Sequence, residues 1–336
     1  MDTKDLDAKS YTDFLKRYIE TRDEQALYGA EQVSKSFIKN QISPEEIVHL
    51  HIQSLLEIYP EIQDQIQLSM NFLLEAMIAY GLAHQEYQLL REKQLRIKSE
   101  IDVAAGMQSM LMQSEVPNTD ELDIGVISVP ANQMNGDYHH FVKGKDGAIS
   151  IAIADIIGKG IPAALSMSMI KYAMDSFPES EMSTNAILAS LNRVVERNVD
   201  PSMFITMFYA QYKPDTGKLY YSSAGHEPGF YYSNKTKSFH EFEAKGLVLG
   251  VDPDTTYVQS EIDIEKDDMV ILLTDGVTEC RKGDTFIERD ELLEVIKTYM
   301  HLPAQDIVNH VYRYFERIQN FQLRDDFTLV ILKKVV

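Results

Sequence analysis

The chain has 336 residues, 44% of them hydrophobic, enough to pack one large domain and a smaller one. Its formal net charge of −20, with no basic patch to offset it, opposes a phosphate backbone and excludes nucleic acid as an expected partner. No apolar run nears the roughly 20 residues that cross a bilayer, the opening MDTKDLDAKS lacks a secretory core, and a lone cysteine rules out internal disulfides, so a cytoplasmic protein off the membrane is expected.

Over residues 1–82 apolar residues recur at three- and four-residue spacing, which predicts a helical domain. One helix start is explicit. Ser43 caps, Pro44 fits the first helical position and Glu46 completes a capping box ahead of Ile47, Leu50, Ile52, Leu55 and Leu56, with Tyr59 and Pro60 as the stop. A further helix is predicted from Gln63 to Ile78.

Residues 83–117 change register to a heptad, with Ala83, Leu90, Ile97, Ala104 and Leu111 at one core position and Tyr87, Gln94, Ile101 and Gln108 at the other. This predicts a connector helix ending at Val116 and Pro117. Its stripe serves either a dimeric coiled coil or the surface of its own domain, and Gln94 and Gln108 weaken a buried seam.

From residue 118 to 336 short β-rich runs dominate: IGVISV, AISIAIA, FITMFYAQY, KLYYSSA, MVILLT and FTLVILK. Turn signals at 144–147, 214–217 and 234–235 separate several of them, and helical stretches are expected at 162–175, 184–196, 291–301 and 304–319. Hairpin-like order with inserted helices predicts an α+β fold, two antiparallel sheets face to face with helices outside. Cys280 reads as a small apolar packing residue.

Aspartates stand where these strands begin or end: Asp137 in NGDY, Asp155 after AISIAIA, Asp275 after MVILLT, and the pair Asp325 and Asp326 ahead of FTLVILK. Strand ends fix the backbone, so carboxylates from several strands can meet at one edge of a sandwich. Each junction alone is ordinary turn chemistry. Together they concentrate like charge that a cation would neutralise, and oxygen-only donors favour magnesium or manganese over zinc.

In order, GDY (136–138), DIIGKG (155–160), SAGHEP (223–228), TDG (274–276) and DDFT (325–328) resemble the marks of the bacterial PPM, or PP2C-like, serine/threonine phosphatases. The resemblance implies an α-β-β-α sandwich and two Mn2+ or Mg2+ ions per site. Asp155 would bridge the ions, the Ile156 carbonyl would add a ligand, and Asp137, Asp275 and Asp325 would complete the shells, with Asp326 either a ligand or a hydrogen-bonding neighbour. Gly136, Gly158 and Gly276 would shape the site. With the helical segment and connector in front, the whole chain resembles RsbU-like activator phosphatases of the sigma-B stress response. That likeness implies an RsbT-like activator at the N-terminal domain, a phosphorylated RsbV-like substrate and a homodimer when activated. Open alternatives are a phosphatase of another partner-switching pathway and a catalytically silent scaffold.

No nucleophile constellation is present: Cys280 lacks a phosphate loop and no Gly-x-Ser-x-Gly elbow appears. Lys159 is read either as attracting phosphate or as a solvated turn residue, and His226 either as assisting the leaving group or as a structural histidine. His139 and His140, adjacent in a strand, point to opposite faces and read as packing or surface residues.

Overall fold

The computed structural model describes residues 3–336 except 27, 30–32, 34–36, 38–41, 62–63, 113, 158–160, 178–181, 201–202, 283–284, 288 and 322. The chain divides into two compact units, Met1–Lys98 and Ser99–Val336.

In the first unit, α1 (Thr3–Thr21) packs on α2 (Pro44–Ile58). Thr12 Oγ1 meets Ser54 Oγ at 2.7 Å, Tyr11 Oη meets His51 Nδ1 at 3.0 Å, and Ala26, Val33, Phe37 and Ile52 are buried. The capping box forms as the sequence predicts: the Glu46 amide donates to Ser43 Oγ, the Ser43 amide to Glu46 Oε2, and Tyr59 is the C-cap. Replacing Ser43 by alanine is expected to cost this helix about 1 kcal/mol, seen as roughly fivefold faster amide exchange in its first turn.

The helix expected at 63–78 and the connector expected from 83 are one continuous helix, α3 (Asp64–Leu111). Gly81 is the sole weak point in the span between them, and one glycine costs only about 1 kcal/mol, too little to stop a helix. The heptad positions also differ in fate. Tyr87, Leu90 and Ile97 are exposed, whereas Gln108 is buried at 7% exposure. Gln108 therefore belongs to the packing of the second unit and not to an open seam.

The second unit holds two five-stranded sheets. One runs in the order β1 (Leu122–Val129), β12 (Phe327–Lys334), β9 (Met269–Leu273), β6 (Gly229–Ser233), β7 (Ser238–Phe242). The other runs β2 (Asp137–Lys143), β3 (Ile149–Ile157), β4 (Phe204–Lys213), β5 (Lys218–Ala224), β8 (Ser260–Asp263). Every pair within them is antiparallel. A two-stranded ribbon, β10 (Arg281–Lys282) with β11 (Thr285–Phe286), stands apart.

Side-chain alternation builds four layers. Ile149, Ile151 and Ile153 of β3 meet Val270, Leu272, Val330 and Leu332 of the other sheet in the central core. The alternate residues Ala152, Ala154 and Ile156 pack against Met167 and Ile170 of α4 (Ile161–Ser176) and Ile187 and Leu191 of α5 (Thr184–Asn198). On the far side Met269, Ile271 and Leu273 pack against Ile296 of α7 (Arg289–Tyr299) and Ile307, Val311 and Phe315 of α8 (Ala304–Ile318). Both faces of each sheet are covered, which is why β3, β9 and β12 read as unbroken apolar runs. This is the α+β, α-β-β-α sandwich that the strand pattern predicts. The turns at 144–147, 214–217 and 234–235 join β2 to β3, β4 to β5 and β6 to β7.

Candidate active site

The acidic residues meet at one end of the sandwich. Asp137 opens β2 and pairs directly with Asp155 of β3 across the antiparallel ladder. Asp155 thus lies two residues inside its strand, which runs on to Ile157, rather than just beyond the end of AISIAIA. Asp275 follows β9 and starts the single turn α6 (Asp275–Thr278), and Asp325 and Asp326 precede β12, the strand paired with β9. Like charges opposed across a ladder are destabilising, so the fold holds this arrangement at a cost.

Electrostatics record that cost. Burial, then the charges of Asp275, Asp325 and Asp326, push the Asp155 carboxyl up to about 7. Burial, then Asp325, Glu279 and Glu227, push Asp275 up to about 6. Asp137 is raised well above its ordinary range, by burial above all, although hydroxyl hydrogen bonds from Thr328 and Thr274 oppose the shift.

Hydrogen bonds hold the edge together. The Thr274 hydroxyl donates to Asp137 Oδ2 at 2.7 Å and accepts the Thr328 amide at 3.2 Å, while the Thr274 amide donates to the Thr328 carbonyl at 3.1 Å. Both Asp326 carboxylate oxygens are engaged: Oδ1 accepts the Ala131 amide at 2.7 Å and Oδ2 the Gly136 amide. Asp325 Oδ1 accepts the amide of Asp326 at 3.0 Å. The two neighbours thus differ, Asp326 clamping the 131–136 loop and Asp325 adding its charge to that of Asp155 and Asp275.

Two glycines face the acidic edge, and one of them, Gly276, is required by close approach. A Cβ at Gly136 would stand 3.2 Å from Asp326 Oδ2, 3.5 Å from Asp155 Oδ1 and 3.6 Å from the Ile156 carbonyl oxygen, in a cradle of three oxygens. A Cβ at Gly276 would stand 1.9 Å from the Asp326 carbonyl oxygen. Gly158 and Lys159 lie outside the described residues.

His226 stands beside the site with both ring nitrogens engaged. Its Nε2–H donates to the Leu273 carbonyl at 3.2 Å, Nδ1 accepts from the Thr206 hydroxyl at 2.9 Å, and burial pushes its pKa down to about 4. Thr206 is the ladder partner of Asp155, and Leu273 precedes Asp275 by two residues, so neutral His226 bolts one sheet to the other beside the site. His140 is buried and stacks on Tyr138, and His139 meets Phe141 edge-on, both as packing residues. Cys280 is buried, donates to the Gly276 carbonyl and has its thiol pushed up to about 12, which leaves it inert.

The donors fit a hard cation. They are carboxylate and carbonyl oxygens whose mutual repulsion a divalent ion would relieve, around a cradle that any side chain at 136 would fill. Among the described residues, no three His, Cys, Asp or Glu side chains are already arranged to hold an ion. The charge is gathered, but the cage is not closed. The sequence reading missed Thr274, Thr328, Asn135 and Gln108, which hydrogen-bond along the edge or to its loop. The first three adjoin the acidic motifs, and a hydroxyl or carboxamide beside a buried carboxylate is the signal that points to them.

Residues 145–335 match the family model for stage II sporulation protein E (SpoIIE), and residues 9–83 match the N-terminal domain of phosphoserine phosphatase RsbU. Over 336 residues the chain is 52% identical to phosphoserine phosphatase RsbU of Bacillus subtilis (strain 168), covering all of both chains. Among solved structures, the SiaA PP2C domain of Pseudomonas aeruginosa superposes with a TM-score of 0.60 at 16% identity, covering 72% of this chain and 98% of that one. The RsbU and RsbW domains of a Mycobacterium tuberculosis protein give 0.57 at 19% identity, covering 67% and 63%. These distant neighbours share the fold, while the close, end-to-end relative fixes the kinship. The chain belongs to the RsbU family of phosphoserine phosphatases, phosphoprotein phosphatases with a PP2C-like catalytic domain behind an RsbU-type N-terminal domain.

Proposed function

We propose that this enzyme hydrolyses phosphoserine on an RsbV-like anti-sigma-factor antagonist, using Mn2+ or Mg2+ at a two-ion site, when an RsbT-like switch protein engages its N-terminal domain. Release of sigma-B is the downstream result, and the setting is cytoplasmic. The observation that carries the reading is the end-to-end likeness to RsbU, at 52% identity over all 336 residues. In this reading residues 1–82 receive the activator, 83–117 connect, and 118–336 catalyse. The exposed seam residues Tyr87, Leu90 and Ile97 of α3 pair with a second copy once the activator is bound.

Asp155, Asp137, Asp275, Asp325 and the Ile156 carbonyl would together hold the ions, and Asp326 serves by clamping the loop. Bound divalent cations supply the positive charge that offsets the phosphoryl oxygens and acidifies the attacking water. The chain's own part is to present the carboxylates at fixed strand ends, hold neutral His226 out of proton transfer and exclude side-chain bulk at Gly136. No covalent phosphoenzyme is needed.

The deciding assay is hydrolysis of serine-phosphorylated RsbV with and without purified RsbT in the presence of Mn2+. Stimulation of at least about tenfold is expected, lost when residues 1–82 are removed while the basal rate survives. Full-length enzyme that RsbT leaves unchanged would overturn the assignment to this pathway.

A further inference from the structure

The most specific contact that the reaction leaves unexplained lies at the end of α3. Gln108 is buried at 7% exposure, and among the described residues both hydrogen bonds shown for its carboxamide go to backbone. Its Nε2 donates to the Asn135 carbonyl at 2.7 Å and its Oε1 accepts the Asn135 amide at 3.0 Å. One side chain thus satisfies both backbone groups of one residue, as a neighbouring strand would.

Asn135 is where the hydrogen-bonded edge begins. Its Oδ1 accepts the Asp137 amide at 3.0 Å and its Nδ2 donates to Ser128 Oγ at 3.0 Å. Ser128 Oγ meets Thr328 Oγ1 at 2.9 Å, and the Thr328 amide reaches Thr274, whose hydroxyl returns to Asp137. Between Asn135 and Asp137 stands Gly136, whose amide is held by Asp326. Beside these bonds lies a cavity of about 330 Å³ lined by both segments, among others Ala105 and Met112 on one side and Pro130 and Gln133 on the other, so helix and loop are not packed tightly along their whole length. The remaining helix-to-loop bond shown here, Gln133 Nε2 to Asp102 Oδ1 at 3.0 Å, is exposed.

We propose that Gln108 is a positioning residue for the acidic edge: from the end of α3 its carboxamide fixes residues 133–136 and, through them, the Gly136 amide and the Asp137 carboxylate. Gln108 touches neither substrate nor ion and acts through Asn135. The inference rests on the metal reading above only for its effect on ion affinity, not for its effect on the loop.

Gln108→Met keeps the volume and removes both bonds, so it is the variant of choice in the full-length protein. Mn2+ affinity by calorimetry is expected to fall about tenfold or more, as for other groups that hold metal ligands in place. The KM for phosphoserine substrate at saturating Mn2+ should stay within about twofold, a split that general loss of packing would not give. Without metal, amide exchange at Gly136 and Asp137 should speed up by about tenfold or more, while Gln133→Ala should leave both exchange and affinity near wild type. Unchanged exchange at Gly136 and Asp137 overturns the proposal whether or not the wild type binds Mn2+, and so does an equal loss in Gln133→Ala. Failure of the wild type to bind Mn2+ counts against the metal reading alone. Should Gln108→Met not fold, Gln108→Glu keeps the acceptor for the Asn135 amide and is expected to show an intermediate increase in exchange; wild-type exchange in that variant overturns the proposal.

Discussion

Asp155→Asn is expected to abolish phosphoserine hydrolysis, by on the order of 10³-fold, and at the same time to stabilise the metal-free protein. The first effect follows from the charge that the carboxylates must hold in place: several kcal/mol of transition-state stabilisation, at roughly 1.4 kcal/mol per tenfold, corresponds to about three orders of magnitude. The second follows from the raised carboxyl, held at about 7 in the folded chain against an ordinary value of 3.8. Between those values the folded state binds more protons than the unfolded one, so stability declines as pH rises from about 4 to about 7. Asp275, raised to about 6, pulls in the same direction over a narrower window.

Asparagine carries no charge to repel. After allowance for solvent screening, Asp155→Asn should recover about 1–2 kcal/mol at about pH 8, a rise in thermal midpoint of roughly 3–6 °C, and the gain should vanish below about pH 4. Calorimetric melts across that range, in chelator, test the sign directly. A variant that melts lower than wild type at high pH, or one that retains near-wild-type turnover with Mn2+, contradicts the placement of Asp155 in a repulsive, ion-seeking cluster.

Gly276→Ala is expected to produce the second largest effect, on fold and activity together. Its added methyl would stand 1.9 Å from the Asp326 carbonyl oxygen and 2.9 Å from the carbonyl carbon, contacts that only backbone movement relieves. Movement of that segment carries Asp325 and the Asp326 clamp with it. A destabilisation of about 3 kcal/mol is expected, a drop of roughly 6–12 °C in the midpoint of the catalytic unit. Turnover should fall by about 10²-fold even at temperatures where the variant is folded, because misplacement of about 1 Å is enough for such a loss. Gly106, with nothing within 4 Å of its Cβ, is the control position for a glycine-to-alanine change. A Gly276→Ala enzyme with wild-type turnover would show that Asp325 and Asp326 do not set the geometry of the edge.

The layers and the acidic motifs were legible because both are written in local sequence. Runs such as AISIAIA and MVILLT are apolar on both faces, which a strand tolerates only when covered on both sides, and the aspartates flank them. The capping box at Ser43 was equally local, two residues, Ser43 and Glu46, reading each other across one turn. The expected runs omit β2, β6, β7 and β8; of these β7 and β8 stand at sheet edges with several exposed residues, and half-solvated strands have little apolar pattern to show.

The fate of each polar residue was decided by tertiary structure. Gln94 and Gln108 occupy the same heptad position, yet the first is exposed and the second is bonded to a loop 27 residues further along the chain. Asp325 and Asp326 are adjacent and chemically identical, but only Asp326 holds the two amides of the 131–136 loop, one of them 195 residues away in sequence. His226 became a neutral bolt because the fold brought Thr206 and Leu273 to its two nitrogens. Periodicity records which face of an element is apolar, and so the sequence by itself determined the elements, their layers and the acidic class of the site. A hydrogen bond depends on where a distant backbone arrives, and only the packed sheets decided which carboxylates come together and which side chains hold them there.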